Sequence, residues 1–368
     1  MRIVHLGYED PRQPGSGGGA IRTREINSRL AARHDITVVV AGYPGARPRV
    51  EEGVRWLPIG PRTGGKIDRL AYFALLGAVV TRARYDLLVE DFSAPFSVGG
   101  APIFTRRPVV ASVQWLFARQ MRAKYGLPFD WVERSGLRLY DNFIAVSDWL
   151  AQSIRRTRPR AAVVTIPNGV PAEAFDTPPA SARHLLFLGR LDLGQKGGDL
   201  LIDAYAGIRR QLGSETPPLL VAGDGPDRQA MQRLAADRKL TDWIQFVGRV
   251  EGPTKYGLLA AAYAVLMPSR FETFGMVAVE AQAAGAPVVA FDVGPLAEVA
   301  GGGGACLAPA FDVEAFAQHV VDLLRDPAEA ARRGTMGRAW ARRYDWDLIA
   351  TRQEAWYERR ADSRHAPP

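Results

Sequence analysis

The stretch Leu185-Leu186-Phe187-Leu188-Gly189-Arg190-Leu191-Asp192-Leu193-Gly194-Gln195-Lys196-Gly197-Gly198 decides the fold. Its first four residues are a short apolar run, too brief for a helix and suited to a buried strand. A glycine-rich turn and then helical sequence follow. Strand, turn and helix in that order make the repeating unit of parallel α/β proteins.

The unit recurs on both sides of this stretch. C-terminal to it, apolar runs at 219–222, 244–247, 265–267 and 288–290 read as further strands. N-terminal to it, strands are expected at 1–7, 36–41, 87–90, 109–113 and 143–146, with a helix over 21–33 after a glycine loop. Between the two series, Ile166-Pro167-Asn168-Gly169-Val170 and then Pro178-Pro179 break the periodicity. We expect two doubly wound Rossmann-like α/β domains, residues 1–170 and 171–345, facing across a cleft. Ligands of such sheets bind beyond the carboxyl ends of the strands, so the cleft is the expected site.

Composition agrees with that division. The chain has 368 residues, 47% hydrophobic and 23% charged, enough for two cores. A lone cysteine, Cys306, excludes an intrachain disulfide, and no signal peptide is visible. Both favour the reducing cytoplasm. The apolar runs at 70–80 and 256–268 fall short of the ~18 residues that span a bilayer, so a soluble protein is expected, at most peripheral at the inner membrane face. Residues 1–168 carry 25 Lys+Arg against 14 Asp+Glu, a balance of +11, and the remainder carries 22 against 25, a balance of −3. The basic half suits an anionic partner: a phosphorylated acceptor, a membrane surface or nucleic acid. An arginine-rich solvated face accounts for it equally well.

Three motifs carry chemistry. Gly15-Ser16-Gly17-Gly18-Gly19-Ala20 formally fits the dinucleotide fingerprint. However, seven residues separate it from the strand, and the second strand ends in Ala41-Gly42 with no acid for a ribose. Bare N–H groups of Gly17 and Gly18 at a helix start could still hold a phosphate; the alternative is a surface loop. The second motif, Gly189 to Gly198, mimics a P-loop but lacks Ser or Thr after Lys196, which argues against magnesium-linked NTP hydrolysis. Arg190 and Lys196 remain as two cations that can converge on a diphosphate. The third is Arg270-Phe271-Glu272-Thr273-Phe274-Gly275-Met276-Val277-Ala278-Val279-Glu280-Ala281. A helix beginning near Phe274 would leave the amides of Thr273, Phe274 and Gly275 unpaired. Glu280 would lie about one and a half turns in. A carboxylate there, unpaired among apolar neighbours, is costly and argues for a ligand. Glu272 and Glu280 could take the hydroxyls of a sugar and a ribose.

From about 185 to 298 these residues resemble the retaining glycosyltransferases of family 4, which have the GT-B fold. The matching pieces are Gly189-Arg190 with Lys196-Gly197, Gly223-Asp224-Gly225-Pro226, Phe246-Val247-Gly248, Pro268-Ser269 leading into Glu272-Thr273-Phe274-Gly275, and Glu280-Ala281 through Ala284-Gly285-Ala286-Pro287-Val288-Val289. The N-terminal half matches more loosely, and 346–368 resembles the family's C-terminal helix that crosses back to the first domain. The resemblance implies that Arg190 and Lys196 hold the donor pyrophosphate and Glu280 the ribose. Glu272, with the amides of Phe274 and Gly275 and beside Thr273, would hold the sugar, and the backbone around Arg249 and Val250 the base. The catalytic group would be Arg190, Lys196 and Glu272. Where family members often carry a histidine near the reacting sugar, this chain has Gln114, which cannot titrate.

The expected reaction is transfer of a sugar from a nucleotide diphosphate sugar to an acceptor hydroxyl, with retention, without metal and without a cofactor. The acceptor would be a small molecule, a glycan or a lipid-linked group, with peripheral membrane contact open. Trp115, Phe117, Tyr125, Phe129, Trp131 and Tyr140, interleaved with Arg119, Arg122, Lys124, Arg134 and Arg138, are expected to border the acceptor side, unless the aromatics are simply core. The five histidines show no metal-ligand spacing, and Asp345-Trp346-Asp347, formally a D-x-D motif, sits where a helix cap is expected. Two other readings stay open: an epimerase or phosphorylase on the same fold, and a basic nucleic-acid-binding protein. The second gives no reason for Arg190, Lys196, Glu272 and Glu280 to occur together.

Overall fold

The computed structural model describes every residue except 93–99, 117, 119–121, 123–125, 127, 179 and 363–368. The chain forms two compact units. Unit 1 combines Met1–Asn168 with Trp346–Pro368, and unit 2 is Gly169–Asp345.

Unit 1 is built on an eight-stranded sheet of β1 (Arg2–Tyr8), β2 (Asp35–Ala41), β3 (Arg49–Glu51), β4 (Val54–Ile59), β5 (Leu87–Phe92), β6 (Val109–Val113), β7 (Asn142–Ala145) and β8 (Ala162–Thr165). Its spatial order is β3-β4-β2-β1-β5-β6-β7-β8. All neighbours run parallel except β3 with β4. Val38, Leu87, Leu88, Val110, Phe143 and Ile144 are fully buried, as expected where crossover helices cover both sheet faces.

The β3–β4 hairpin is an addition to the sequence reading. Its two turn residues, Glu52 and Gly53, both have positive φ, 50° and 78°, the geometry of a tight hairpin turn that matches strand twist. Glutamate at the first of these positions gives no turn signal, which is why the hairpin was not expected.

The helix Trp346–Asp362 belongs to unit 1, packed on the helix Gly18–Leu30. A buried arginine ties them. Arg22 donates to the Pro167 carbonyl, to Asn168 Oδ1 at 3.1 Å and to Gln353 Oε1 at 2.5 Å. Gln353 in turn donates to Tyr357 Oη at 2.6 Å. Burial lowers the Arg22 pKa to about 10, so the group stays charged near neutrality and needs those acceptors.

Unit 2 contains β9 (His184–Leu188), β10 (Leu219–Ala222), β11 (Ile244–Gly248), β12 (Ala262–Met267), β13 (Val288–Phe291) and β14 (Ala305–Ala308), all parallel, in the order β11-β10-β9-β12-β13-β14. The order reverses between β9 and β12. Chain connections leave the sheet in opposite directions there, which opens a crevice at the carboxyl ends of the two strands.

Candidate active site

The loops leaving β9 and β12 at this switch point carry Arg190 and Lys196 on one side and Glu272, Thr273, Phe274 and Gly275 on the other. They are fastened to each other. Arg270 forms a bidentate pair with Asp199 at 2.7 and 2.6 Å, donates to the Leu193 carbonyl at 2.7 Å, and its amide donates to the Gln195 carbonyl at 2.8 Å. Gly197 has φ +68°, and a Cβ there would collide with the Pro268 carbonyl oxygen, so glycine permits both the turn and the close approach of the two loops. The loop after β10 joins them, with the Gly189 amide donating to Ala222 at 3.0 Å and the Leu191 amide to Asp224 at 3.0 Å.

On this platform Lys196 Nζ donates to Glu272 Oε1 at 2.6 Å, and Ser269 Oγ donates to the same oxygen at 2.8 Å. Glu272 is 5% exposed, and the ammonium offsets its desolvation. The structure thus brings Lys196 and Glu272 together. Arg190 is exposed and turned to its own loop, donating to Gln195 Oε1 at 2.8 Å and pairing with Asp192 at 3.1 Å. Exposed ion pairs of this kind are weak, so a phosphate could displace them.

Two expectations around the third motif need correction. The helix spans Met276–Ala283, capped by Gly275 in a left-handed conformation (φ +94°), and does not begin near Phe274. Phe274 is buried instead, its ring edge-on to Tyr344 at 5.7 Å, so packing delays the helix start. Nor is the Glu280 carboxylate unpaired, because Lys255 Nζ donates to Glu280 Oε1 at 2.9 Å. Burial opposes the Lys255 ammonium, but Glu280 more than offsets it and holds the pKa above the usual lysine value. Lys255 comes from the helix Gly252–Ala260, in no recognised motif, and was missed. Just before that helix, Arg249 is exposed and paired with Glu251 at 2.6 Å, while Val250 is half-buried.

In unit 1, Gly17 caps the helix Gly18–Leu30 without a side-chain bond. Its amide is not bare as expected, since it donates to Glu9 Oε2 at 3.1 Å, an anion already seated at the helix start. Gln114, following β6, lies beside this turn: a Cβ on Gly19 would be 3.9 Å from its Cγ. The Gln114 amide nitrogen is buried without a hydrogen-bond partner among the described residues. Of the aromatic segment, Phe117, Arg119, Lys124 and Tyr125 lie outside the described residues. Trp115 and Phe129 are half-buried and Trp131 is 68% exposed. Tyr140 belongs to the core, donating to Glu90 Oε2 at 2.6 Å.

Of the acids around residue 346, Asp347 pairs with Arg29 at 2.6 Å. Among the described residues, His34, Glu354 and Glu358 form a group whose ligand atoms lie within 4.8 Å of one another. There Glu354 already accepts from Arg33 and His34.

The chain matches two family models, Glycosyltransferase Family 4 over residues 16–174 and Glycosyl transferases group 1 over residues 182–326. It is 34% identical to the glycogen synthase of Mycobacterium tuberculosis over 95% of this chain and 93% of that one. It is 35% identical to a phosphatidyl-myo-inositol mannosyltransferase of Mycobacterium leprae, a match covering 60% of this chain and only 59% of that protein's length. Among solved structures, Anabaena Alr3699/HepE in complex with UDP-glucose superposes with a TM-score of 0.76 at 20% identity, covering 97% of this chain and 99% of that one. Two doubly wound units, loops fastened at a switch point and matches running from residue 16 to 326 lead to one conclusion: the chain belongs to glycosyltransferase family 4 and is a glycosyltransferase of the GT-B fold.

Proposed function

We propose that the chain transfers a hexose from a nucleotide diphosphate sugar to an acceptor hydroxyl with retention, without a metal or other cofactor. The observation that carries this reading is the Lys196–Glu272 pair at the β9/β12 switch point, steadied by Ser269. One cation and one carboxylate held 2.6 Å apart can meet a phosphate and a sugar hydroxyl side by side. Complexes with UDP-glucose are known for the Anabaena neighbour, which supports a nucleotide sugar as donor.

In this mechanism Lys196 and Arg190 stabilise the diphosphate as the bond from its oxygen to the sugar C1 breaks. Glu272 accepts from sugar hydroxyls, the amides of Thr273, Phe274 and Gly275 offer further contacts, and Glu280 takes the ribose diol. The acceptor oxygen bonds to C1 on the face the diphosphate leaves. Its proton passes to the departing phosphate oxygen. No protein base is needed, which suits Gln114, a residue that can orient a hydroxyl but not titrate. Gln114, Trp115 and Phe129 serve the acceptor.

A thermal-shift series with UDP, GDP, ADP and TDP tests the donor class, because a ligand bound to the native state raises its stability by mass action. One nucleotide should raise the melting temperature well above the others; no response to any of them sinks the nucleotide-sugar reading. Incubation with donor alone separates transfer from epimerisation, since an epimerase converts the sugar without an acceptor. Turnover should also persist in excess EDTA. Abolition by chelation and rescue by magnesium or manganese would overturn the metal-free mechanism.

A further inference from the structure

Around Glu280 the helix Met276–Ala283 is apolar: Ala278, Val279, Ala281 and Ala283 are fully buried. Glu280 stands among them, its side chain 11% exposed, bonded to Lys255 Nζ at 2.9 Å. An ion pair so far from water adds little to stability over apolar residues of the same volume. Packing alone therefore gives no reason for a charged pair at this place.

Lys255 also stands at the unfavourable end of its own helix. It lies in the first turn of Gly252–Ala260, where the amide dipoles favour negative charge and oppose an ammonium. Glu280 offsets that opposition, and the Tyr256 ring lies 4.6 Å from Nζ. An ammonium has three N–H donors and no acceptor, whereas a carboxylate only accepts. Glu280 takes one of the donors, and even with Tyr256 beside it the ammonium keeps another. The Glu280 carboxylate likewise keeps lone pairs beyond the one that Lys255 fills.

Such a pair is the complement of a hydroxyl, which donates and accepts at once. A lone carboxylate holds the two hydroxyls of a ribose through their hydrogens only. A carboxylate beside an ammonium holds an oxygen lone pair as well. We propose that Lys255 is a specificity-determining residue for the donor: with Glu280 it reads the ribose hydroxyls, so that the protein takes ribonucleoside diphosphates and rejects deoxyribonucleoside diphosphates. The inference rests on the reading of Glu280 as the ribose contact. Loss of a hydroxyl leaves a charged donor and a charged acceptor unmatched, and sites built to bond a hydroxyl discriminate strongly against analogues that lack it.

Titration calorimetry of the full chain with UDP, GDP and the 2′-deoxy and 3′-deoxy forms of each tests it. Wild type should bind the better ribonucleotide at least about tenfold tighter than one of its deoxy forms, as loss of a hydrogen bond to a charged group requires. In Lys255→Met that ratio should fall to about threefold, the share that a hydrogen bond to Glu280 alone supports. Lys255→Gln, which keeps a donor but no charge, should hold an intermediate ratio although it loses the ion pair just as Lys255→Met does. A mere counter-ion would make the two variants alike. Because the ratio is taken within one variant, a general loss of stability or affinity does not move it. The proposal is overturned if wild type binds ribo- and deoxyribonucleotides equally, or if Lys255→Met keeps the wild-type ratio. Binding of none of these nucleotides by wild type overturns it together with the donor reading on which it rests.

Discussion

Lys196 and Glu272 are bonded to each other at 2.6 Å, and in the proposed reading the donor is held between them. The rate should then depend steeply on the lysine charge. Lys196→Ala is expected to lower transfer at least about a hundredfold, as removal of a group stabilising developing charge does, and to lower the melting temperature as well, because the buried Glu272 keeps Ser269 as a donor but loses the ammonium. Near-normal turnover of the folded variant would remove Lys196 from the mechanism. The Lys255–Glu280 pair allows the stability cost to be tested apart from the diphosphate clamp. Its side chains are 20% and 11% exposed, and removing one partner strands the other charge. Losing half of a fully buried pair costs about 3–5 kcal/mol; for this partly exposed one we expect roughly 1–3 kcal/mol from Lys255→Met. Adding Glu280→Gln should recover part of that loss, so the two changes will not be additive. A double variant melting no higher than Lys255→Met would mean that the loss does not come from the stranded Glu280 charge. Because the Lys255 pKa is raised above its ordinary 10.5, its contribution is complete below that value and disappears as pH rises through the higher folded one.

Among the elements, those whose strands are buried on both faces were legible, since an uninterrupted apolar run needs no partner to be recognised. β1, β2, β5, β6 and β7 in unit 1 and β9, β10, β12 and β13 in unit 2 are of this kind, whereas β11 is an edge strand with alternate residues exposed. β3 and β4 escaped because Glu52 replaces a turn-forming residue and β4 alternates buried with exposed positions around Pro58. β8 is an edge strand of half-exposed residues, and β14 is four residues of Ala, Cys and Leu. The loops at the switch point were readable as motifs, whereas their partners were not. Lys255 is 25 residues from Glu280 and Asp199 is 71 from Arg270, pairings that only the folded sheet creates. One such pairing fastens the last helix. Glu354 of Trp346–Asp362 accepts from Arg33 and from His34 Nε2 at 2.7 Å. The Arg33 hydrogen bond, against some desolvation and with help from His34, lowers the Glu354 pKa. A lowered carboxylate pKa adds stability above the ordinary value of 4.5 and loses it as pH falls through the folded value. Glu354→Gln should thus be less stable than wild type at neutral pH, with the gap closing on acidification. Melting curves between about pH 3 and pH 7 measure this; a gap that stays constant would assign the effect to packing.

For the whole molecule, the chain passes between the units twice, after Asn168 and after Asp345. Unit 1 is therefore discontinuous and depends on its returning helix, anchored by Arg22 and Glu354. Ending the chain at Asp345 should destabilise unit 1 alone, seen in hydrogen exchange as lost protection of Gly18–Leu30 while β9 to β13 stay protected. Equal loss in both units would show that they unfold as one. Unit 2, by contrast, is continuous, and its two ends are adjacent: the Val170 amide donates to the Tyr344 carbonyl at 2.7 Å, and Val170 bridges to Asp345. In topological terms unit 2 is a cassette spliced into a host, entering and leaving at neighbouring points. Such a cassette can be exchanged with only two junctions to design. Grafting residues 169–345 of another family member into this host would then show which half of the substrate pair travels with the cassette and which stays behind.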